Sequence, residues 1–228
     1  MAPRKKFLDK ESFADIAKRS NPGRVLKRKY RQKLAKGFIK GLTTLLGPEH
    51  VCVDCGANVG EITASLAVTG AMVHAFEPDP YSFGELTKKF ADAPNVRLYN
   101  QAVGVGNGSI NIYRKKNFAD DEQWNSLTTT TIASQATENM EVVEIEQIDL
   151  EKFLLGLLAK DQIAFLKMDI EGAELAILER LVQTDILTNI RATAVEIHPW
   201  MFSGEKRFKA LREIAETRPE FNLNLDWY

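Results

Sequence analysis

Two periods of apolar residues alternate along this chain. Val25, Leu26, Tyr30, Leu34, Phe38, Leu42 and Leu45 recur every three or four positions, which predicts a long helix over 24–46 that Gly47-Pro48 stops. Before it, 12–19 has the length for a short helix and Asn21-Pro22-Gly23 is a turn signal. Short runs follow at 51–53, 71–76, 96–103, 162–169 and 191–197, and each reads as a buried strand. Helical spacing returns between them at 61–68, 79–91, 150–158, 171–181 and 206–216. Residues 109–113 and 141–148 alternate apolar and polar and predict an antiparallel pair, and 221–228 alternates as a late strand. Strands separated by helices imply an α/β fold with a doubly wound, mostly parallel sheet, carrying an N-terminal helical extension (1–47) and an inserted β-hairpin (105–148) on a domain over 48–228.

Composition narrows this picture. The 228 residues are 44% apolar, enough for one sizeable core. No apolar run approaches the roughly 18–20 residues of a bilayer span, and no apolar signal-peptide core follows the charged start, so a soluble cytoplasmic protein is expected. Two cysteines make no disulfide framework. Cys52-x-x-Cys55 lies in a strand rather than at a helix opening, so both read as buried structural thiols.

The net charge of −1 conceals an asymmetry. Residues 1–40 hold 14 Lys or Arg and 3 Asp or Glu, a balance of +11; residues 41–228 hold the remaining 16 and 28, a balance of −12. The basic segment suits a polyanion, an anionic lipid or an acidic substrate. The alternative is a solvated helix docked on the acidic body.

The candidate chemistry gathers at strand ends. Asp54 closes the first strand, Gly56-Ala57-Asn58-Val59-Gly60 turns, and a helix begins. Glycines permit tight turning, and amides at a helix start face a ligand. The spacing is Gly-x-x-x-Gly rather than the G-x-G-x-x-G of dinucleotide binders, and Asp54 suits a ligand ammonium. Glu77 ends the second strand, where an acid accepts both hydroxyls of a ribose. Together these point to an adenosyl ligand.

Asp54-Cys55-Gly56-Ala57-Asn58-Val59-Gly60, then Phe76-Glu77-Pro78, then Lys167-Met168-Asp169-Ile170-Glu171-Gly172-Ala173-Glu174 resemble the FkbM family, over roughly residues 48–215. The resemblance implies a methyltransferase with the Rossmann-like class I fold, S-adenosyl-L-methionine as cofactor, and a hydroxyl acceptor on a small molecule, sugar or glycan. It places Asp54, Gly56, Ala57, Asn58 and Gly60 around the methionine tail and Glu77 on the ribose. Asn100-Gln101-Ala102-Val103-Gly104 matches the family's strand-end segment, so Gln101 and Ala102 would line the base. Lys167, Asp169, Glu171 and Glu174 form the distinguishing cluster. Asp169 stands near the methyl position; the other three are open between acid/base or substrate roles and a neutralised helix start. His198, after the fifth strand, is a candidate base or a hydrogen-bonded structural histidine. Trp124, in the polar loop between the alternating strands, is either an acceptor contact or a cover for the core, and Trp200 is placed with the acceptor. His50 and His74 receive no role. Acids with His198 suit a divalent cation, but no ligand spacing is fixed, and no metal is required. Asn125-Ser126-Leu127 matches a glycosylation triplet that has no meaning in a cytoplasmic protein. A nucleic-acid-associated protein using residues 1–40, and a catalytically silent scaffold, are the alternative classes. The absence of an Asn-Pro-Pro-Tyr-like motif after the fourth strand speaks against nucleobase chemistry, and the retained Asp54, Glu77 and Asp169 against a silent scaffold.

Overall fold

The computed structural model describes residues 22–115, 140–170, 172–197, 205–225 and 227. Helix α1 (Pro22–Thr43) leads into β1 (Val51–Cys55), α2 (Glu61–Ala67), β2 (Met72–Phe76), α3 (Pro80–Lys89) and β3 (Val96–Tyr99). There follow β4 (Ala102–Gly104), β5 (Gly108–Lys115), β6 (Met140–Asp149), α4 (Leu150–Leu158), β7 (Ile163–Met168), α5 (Glu174–Gln183), β8 (Thr193–Val195), α6 (Glu205–Thr217) and β9 (Leu223–Asn224). Six strands form one sheet in the order β3-β2-β1-β7-β8-β9, and every pairing in it is parallel. β1, β2 and β7 read as apolar runs because helices cover both faces: Val53, Leu166 and Met168 join one core, and Cys52, Val73 and Phe165 another. This is the expected doubly wound α/β architecture.

Local chemistry sets the element ends. Asp79 caps α3, its carboxylate accepting from the amides of Tyr81 and Ser82, with Pro80 at the first helical position. Asp149 caps α4 through the Lys152 amide. The strand expected over 96–103 divides in two. Asn100 Nδ2 donates to the carbonyls of Glu77 (2.9 Å) and Pro78 (3.1 Å), turning the chain out of the main sheet. β4 then pairs with β6 in a separate three-stranded sheet, parallel to it, while β5 and β6 form the expected antiparallel pair. The insertion is therefore a small mixed sheet rather than a hairpin alone. The helix expected from 171 begins at Glu174, and the late strand shrinks to two residues.

The inward face of α1 also differs from the expected stripe. Ala35 and Ile39 are buried, with Phe38 and Leu42 packed beside them, whereas Leu34 is 52% exposed; the helix expected to 46 ends at Thr43, which leaves Leu45 75% exposed beyond it. Phe38 decides this rotation by meeting Trp227 edge-on at 5.8 Å between ring centroids and Phe165 at 5.9 Å. Among the described residues no helix is long and apolar enough to cross a membrane.

Candidate functional site

The sheet reverses its winding between β1 and β7, and it is at the C-terminal ends of two such strands, whose crossovers leave in opposite directions, that sheets of this kind bind ligands. The loop after β1 lies there. Gly56 (φ 75°), Asn58 (φ 49°) and Gly60 (φ 79°) all occupy left-handed backbone. A Cβ on Gly56 would fall 1.7 Å from the carbonyl oxygen of Asp169, so only glycine lets the two strand exits touch. The amides of this loop, expected to face a ligand, are taken internally. Those of Gly56 and Ala57 donate to the Phe76 carbonyl (3.0 and 2.9 Å), and Asn58 N–H donates to Glu77 Oε2 (2.8 Å). Val59 N–H donates to Asn58 Oδ1 (2.7 Å), and Gly60 N–H to the Ala57 carbonyl (2.9 Å). The loop thus offers a fixed shape rather than a nest of open donors.

Asp54 and Lys167 are register partners on adjacent parallel strands, so their side chains emerge side by side. Lys167 Nζ stands 3.3 Å from Asp54 Oδ1 and 3.8 Å from Asp169 Oδ2, and donates to the carbonyls of Gly56 (2.5 Å) and Cys55 (3.3 Å). Thr63, on α2, donates to Asp54 Oδ2 at 2.7 Å. Asp54 is fully buried. Burial opposes the charge on Lys167, but the carboxylates of Asp54 and Asp169 outweigh it and hold the ammonium above the ordinary lysine range. The cation expected to meet Asp54 in a ligand is therefore supplied by Lys167, and Asp54 stands one layer behind the surface. Asp169 lies at the rim, its side chain 28% exposed.

Glu77 is 6% exposed at the end of β2. Its Oε2 accepts from Asn58 N–H and its Oε1 from Asp79 N–H (2.9 Å). Burial pushes its pKa up to about 7, against the pull of these two amides. Sequence reasoning missed the residues that hold it: Asn100 fixes the carbonyls on either side of the Glu77-Pro78 bond, and Arg114 on β5 reaches Asp79 Oδ2 at 3.5 Å while donating to Glu141. Only the position of Asp79 before a proline carried a local signal.

Glu174, expected to touch an acceptor, is 1% exposed and turns back into its own loop. Its Oε1 accepts from Ile170 N–H (3.1 Å) and its Oε2 from Gly172 N–H (2.9 Å), and this delays the start of α5. Ala102 packs its side chain with Ile112 and Ile145 in the core of the small sheet, which removes that side chain from the base-lining role. Gln101 is half-buried beside the strand break. Glu171, His198, Trp124 and Trp200 lie outside the described residues.

Cys52 and Cys55 are free and buried. Desolvation, with Asp54 adding to it, pushes Cys52 up to about 12 and raises Cys55 as well. Neither thiol is expected to react with iodoacetamide at about pH 8 in the native protein, and both in urea. Mass spectrometry of the labelled chain checks this, and a native adduct at either position would contradict the burial. Among the described residues no three His, Cys, Asp or Glu side chains group as a metal site.

Comparison with known proteins adds an independent line. The family model of the methyltransferase FkbM domain matches residues 54–220. Ribosomal RNA small subunit methyltransferase A of Thermotoga maritima is 37% identical over 82 residues, 34% of this chain and 29% of that protein. Its counterpart in Thermotoga petrophila is 37% identical over 84 residues, 34% of this chain and 31% of that one. The chain thus spans less than a third of the length of these two relatives. Among solved structures, an rRNA methylase from Streptococcus thermophilus is 25% identical, with 28% of this chain and 37% of that chain covered and a TM-score of 0.26.

Proposed function

The chain belongs to the FkbM family of methyltransferase domains, and from that premise we propose that it methylates a hydroxyl oxygen of a small molecule, sugar or glycan, with S-adenosylmethionine as donor. The observation that carries the cofactor reading is the Glu77 carboxylate. Each of its oxygens accepts one backbone N–H and retains a second lone pair, so two acceptors stand side by side for the vicinal hydroxyls of a ribose. The residues present fit an adenosyl group on that ground. Gly56, Ala57, Asn58 and Gly60 shape the wall beside it, and Gln101 follows β3 at the base end.

S-adenosylmethionine, when bound, supplies the electrophilic methyl group. The chain's own residues then bind and orient. Lys167 holds the Gly56 and Cys55 carbonyls and fixes the loop against β7. Asp169, at the rim, orients the acceptor hydroxyl, and His198 removes its proton in this proposal. Glu171, Trp124 and Trp200 complete the acceptor side.

Calorimetric titration with S-adenosylmethionine and S-adenosylhomocysteine tests the reading. Micromolar binding is expected, and absence of binding to a folded sample overturns it. The pH dependence is specific. A folded pKa of about 7 means that the ligand-free protein holds a proton on Glu77 that the unfolded chain has already shed, so this group lowers stability as pH rises from about 4.5 to about 7. Ribose hydroxyls donate to the ionised carboxylate and favour it. Affinity should therefore rise with pH by up to roughly tenfold per unit below about 7, with proton release, and level off above. Glu77→Gln should bind more weakly, because its amide NH₂ faces the Asn58 or Asp79 donor, and should lose this pH dependence. Unchanged affinity in that variant would remove Glu77 from the ribose.

A further inference from the structure

Helix α1 and helix α2 run in the same direction. Seven residues join the end of α1 to β1, four join the end of α2 to β2, and these two loops touch: a Cβ on Gly70 would meet Pro48 at 3.0 Å. Both helices therefore finish at the N-terminal edge of the sheet and point their starts toward the edge that carries Gly56, Glu77 and Asp169. Ala35, Lys36, Ile39, Lys40 and Thr43 of α1 share a groove of about 360 Å³ with Glu61, Ile62, Ser65 and Val68 of α2 and its end. The stretch 35–43 thus accounts for the whole length of α2. Residues 22–34 continue α1 past the α2 start by roughly 20 Å, at 1.5 Å per residue, toward the side of the sheet that carries the candidate site.

That helix carries Arg24, Lys27, Arg28, Lys29, Arg31, Lys33, Lys36 and Lys40 and no Asp or Glu. Lys33, Lys36 and Lys40 are exposed and make no ion pair with any described carboxylate. We propose that α1 is a docking track for the phosphodiester backbone of an RNA strand, which it leads to the rim of the candidate site. Three observations favour a phosphodiester strand. The cations number eight over 22 residues, or about one per 4 Å of axis, a density suited to a regularly charged polymer. The body beyond residue 40 carries a balance of −12 and repels such a polymer, so among the described elements it is α1 that holds the strand. Within the docked stretch 35–43, the apolar side chains at 35, 38, 39 and 42 are packed into the protein core, so that part of α1 has no free apolar face to lay on a membrane. An RNA strand also presents ribose hydroxyls. Their use as methyl acceptors rests on the reading of the preceding section, but the docking does not.

Fluorescence anisotropy of a fluorescein-labelled oligouridylate with the full chain tests the proposal. Binding should weaken with salt along a log–log slope of about −0.7 for each phosphate neutralised. The combined variant Lys33→Gln, Lys36→Gln, Lys40→Gln should bind at least about tenfold more weakly at low salt and flatten the slope by about 2. Its S-adenosylmethionine affinity should match the parent, which separates loss of docking from loss of fold or cofactor site. No RNA binding at low salt, or an unchanged slope in the variant, overturns the proposal. So does pelleting with phosphatidylserine vesicles at a salt concentration where RNA is already released, which assigns the helix to a lipid surface.

Discussion

Gly56→Ala is expected to leave no folded, cofactor-binding protein. The residue sits at φ 75°, where a side chain costs about 1–2 kcal/mol on its own. The larger effect is the contact 1.7 Å from the Asp169 carbonyl, which is backbone and cannot rotate away. Neither side can yield easily. Gly56 N–H is bonded to the Phe76 carbonyl, its own carbonyl to Lys167 Nζ, and Asp169 N–H to the Cys55 carbonyl at 3.1 Å. The combined cost should exceed about 4 kcal/mol, a large part of the stability of a domain of this size. Soluble yield and urea unfolding measure it. Gly84→Ala is the control: it lies inside α3 with open space around its Cβ position, and should be neutral or stabilise by up to about 1 kcal/mol. An unchanged midpoint for Gly56→Ala would show that β1 and β7 do not meet this closely.

Lys167→Met should be nearly as damaging. The substitution leaves the Asp54 carboxylate fully buried with Thr63 as its donor, and deprives the Gly56 carbonyl of its lysine donor, while the Cys55 carbonyl keeps the Asp169 N–H. Breaking one side of a buried pair costs about 3–5 kcal/mol, whereas replacing both sides is often much milder. The double variant Asp54→Asn, Lys167→Met should therefore be more stable than Lys167→Met alone, because the neutral amide that replaces the carboxylate still accepts from Thr63 without a charge to strand. Urea midpoints of the four proteins in this cycle give the coupling directly. This outcome makes Lys167 a positioning residue that fixes the cofactor loop. A Lys167→Met protein of parental stability that had lost only turnover would return it to the chemical step. Its ammonium is held above the usual lysine range, so its contribution to stability is fully present below the ordinary lysine pKa and is lost as pH rises from there through the elevated value.

Local pattern in the chain was enough to set the order of strands and helices, the glycine turn after β1, the acid at the end of β2 and the cap of α4 at Asp149, because each depends on covalent geometry and on periods of a few residues. It also paired 109–113 with 141–148, since strict alternation admits only one face toward the core. It offered no means of rotating α1 correctly: Leu34 and Ala35 fit the helical spacing equally well, and the ring of Phe38 between Phe165 and Trp227 chose between them. Nor did it show that the acid of the first motif and the lysine of the third are one ion pair. Asp54 and Lys167 stand 113 positions apart and become neighbours through the parallel register of β1 and β7. The same register brings the Asp169 carbonyl against Gly56. Glu174 shows the complementary limit, since a carboxylate at a helix start looks ready for a ligand until the path of its loop supplies two amides within reach. These matters were settled by packing, because a buried polar group must find its partners among whatever atoms the packed strands bring alongside it, and those atoms belong to residues far away in the chain.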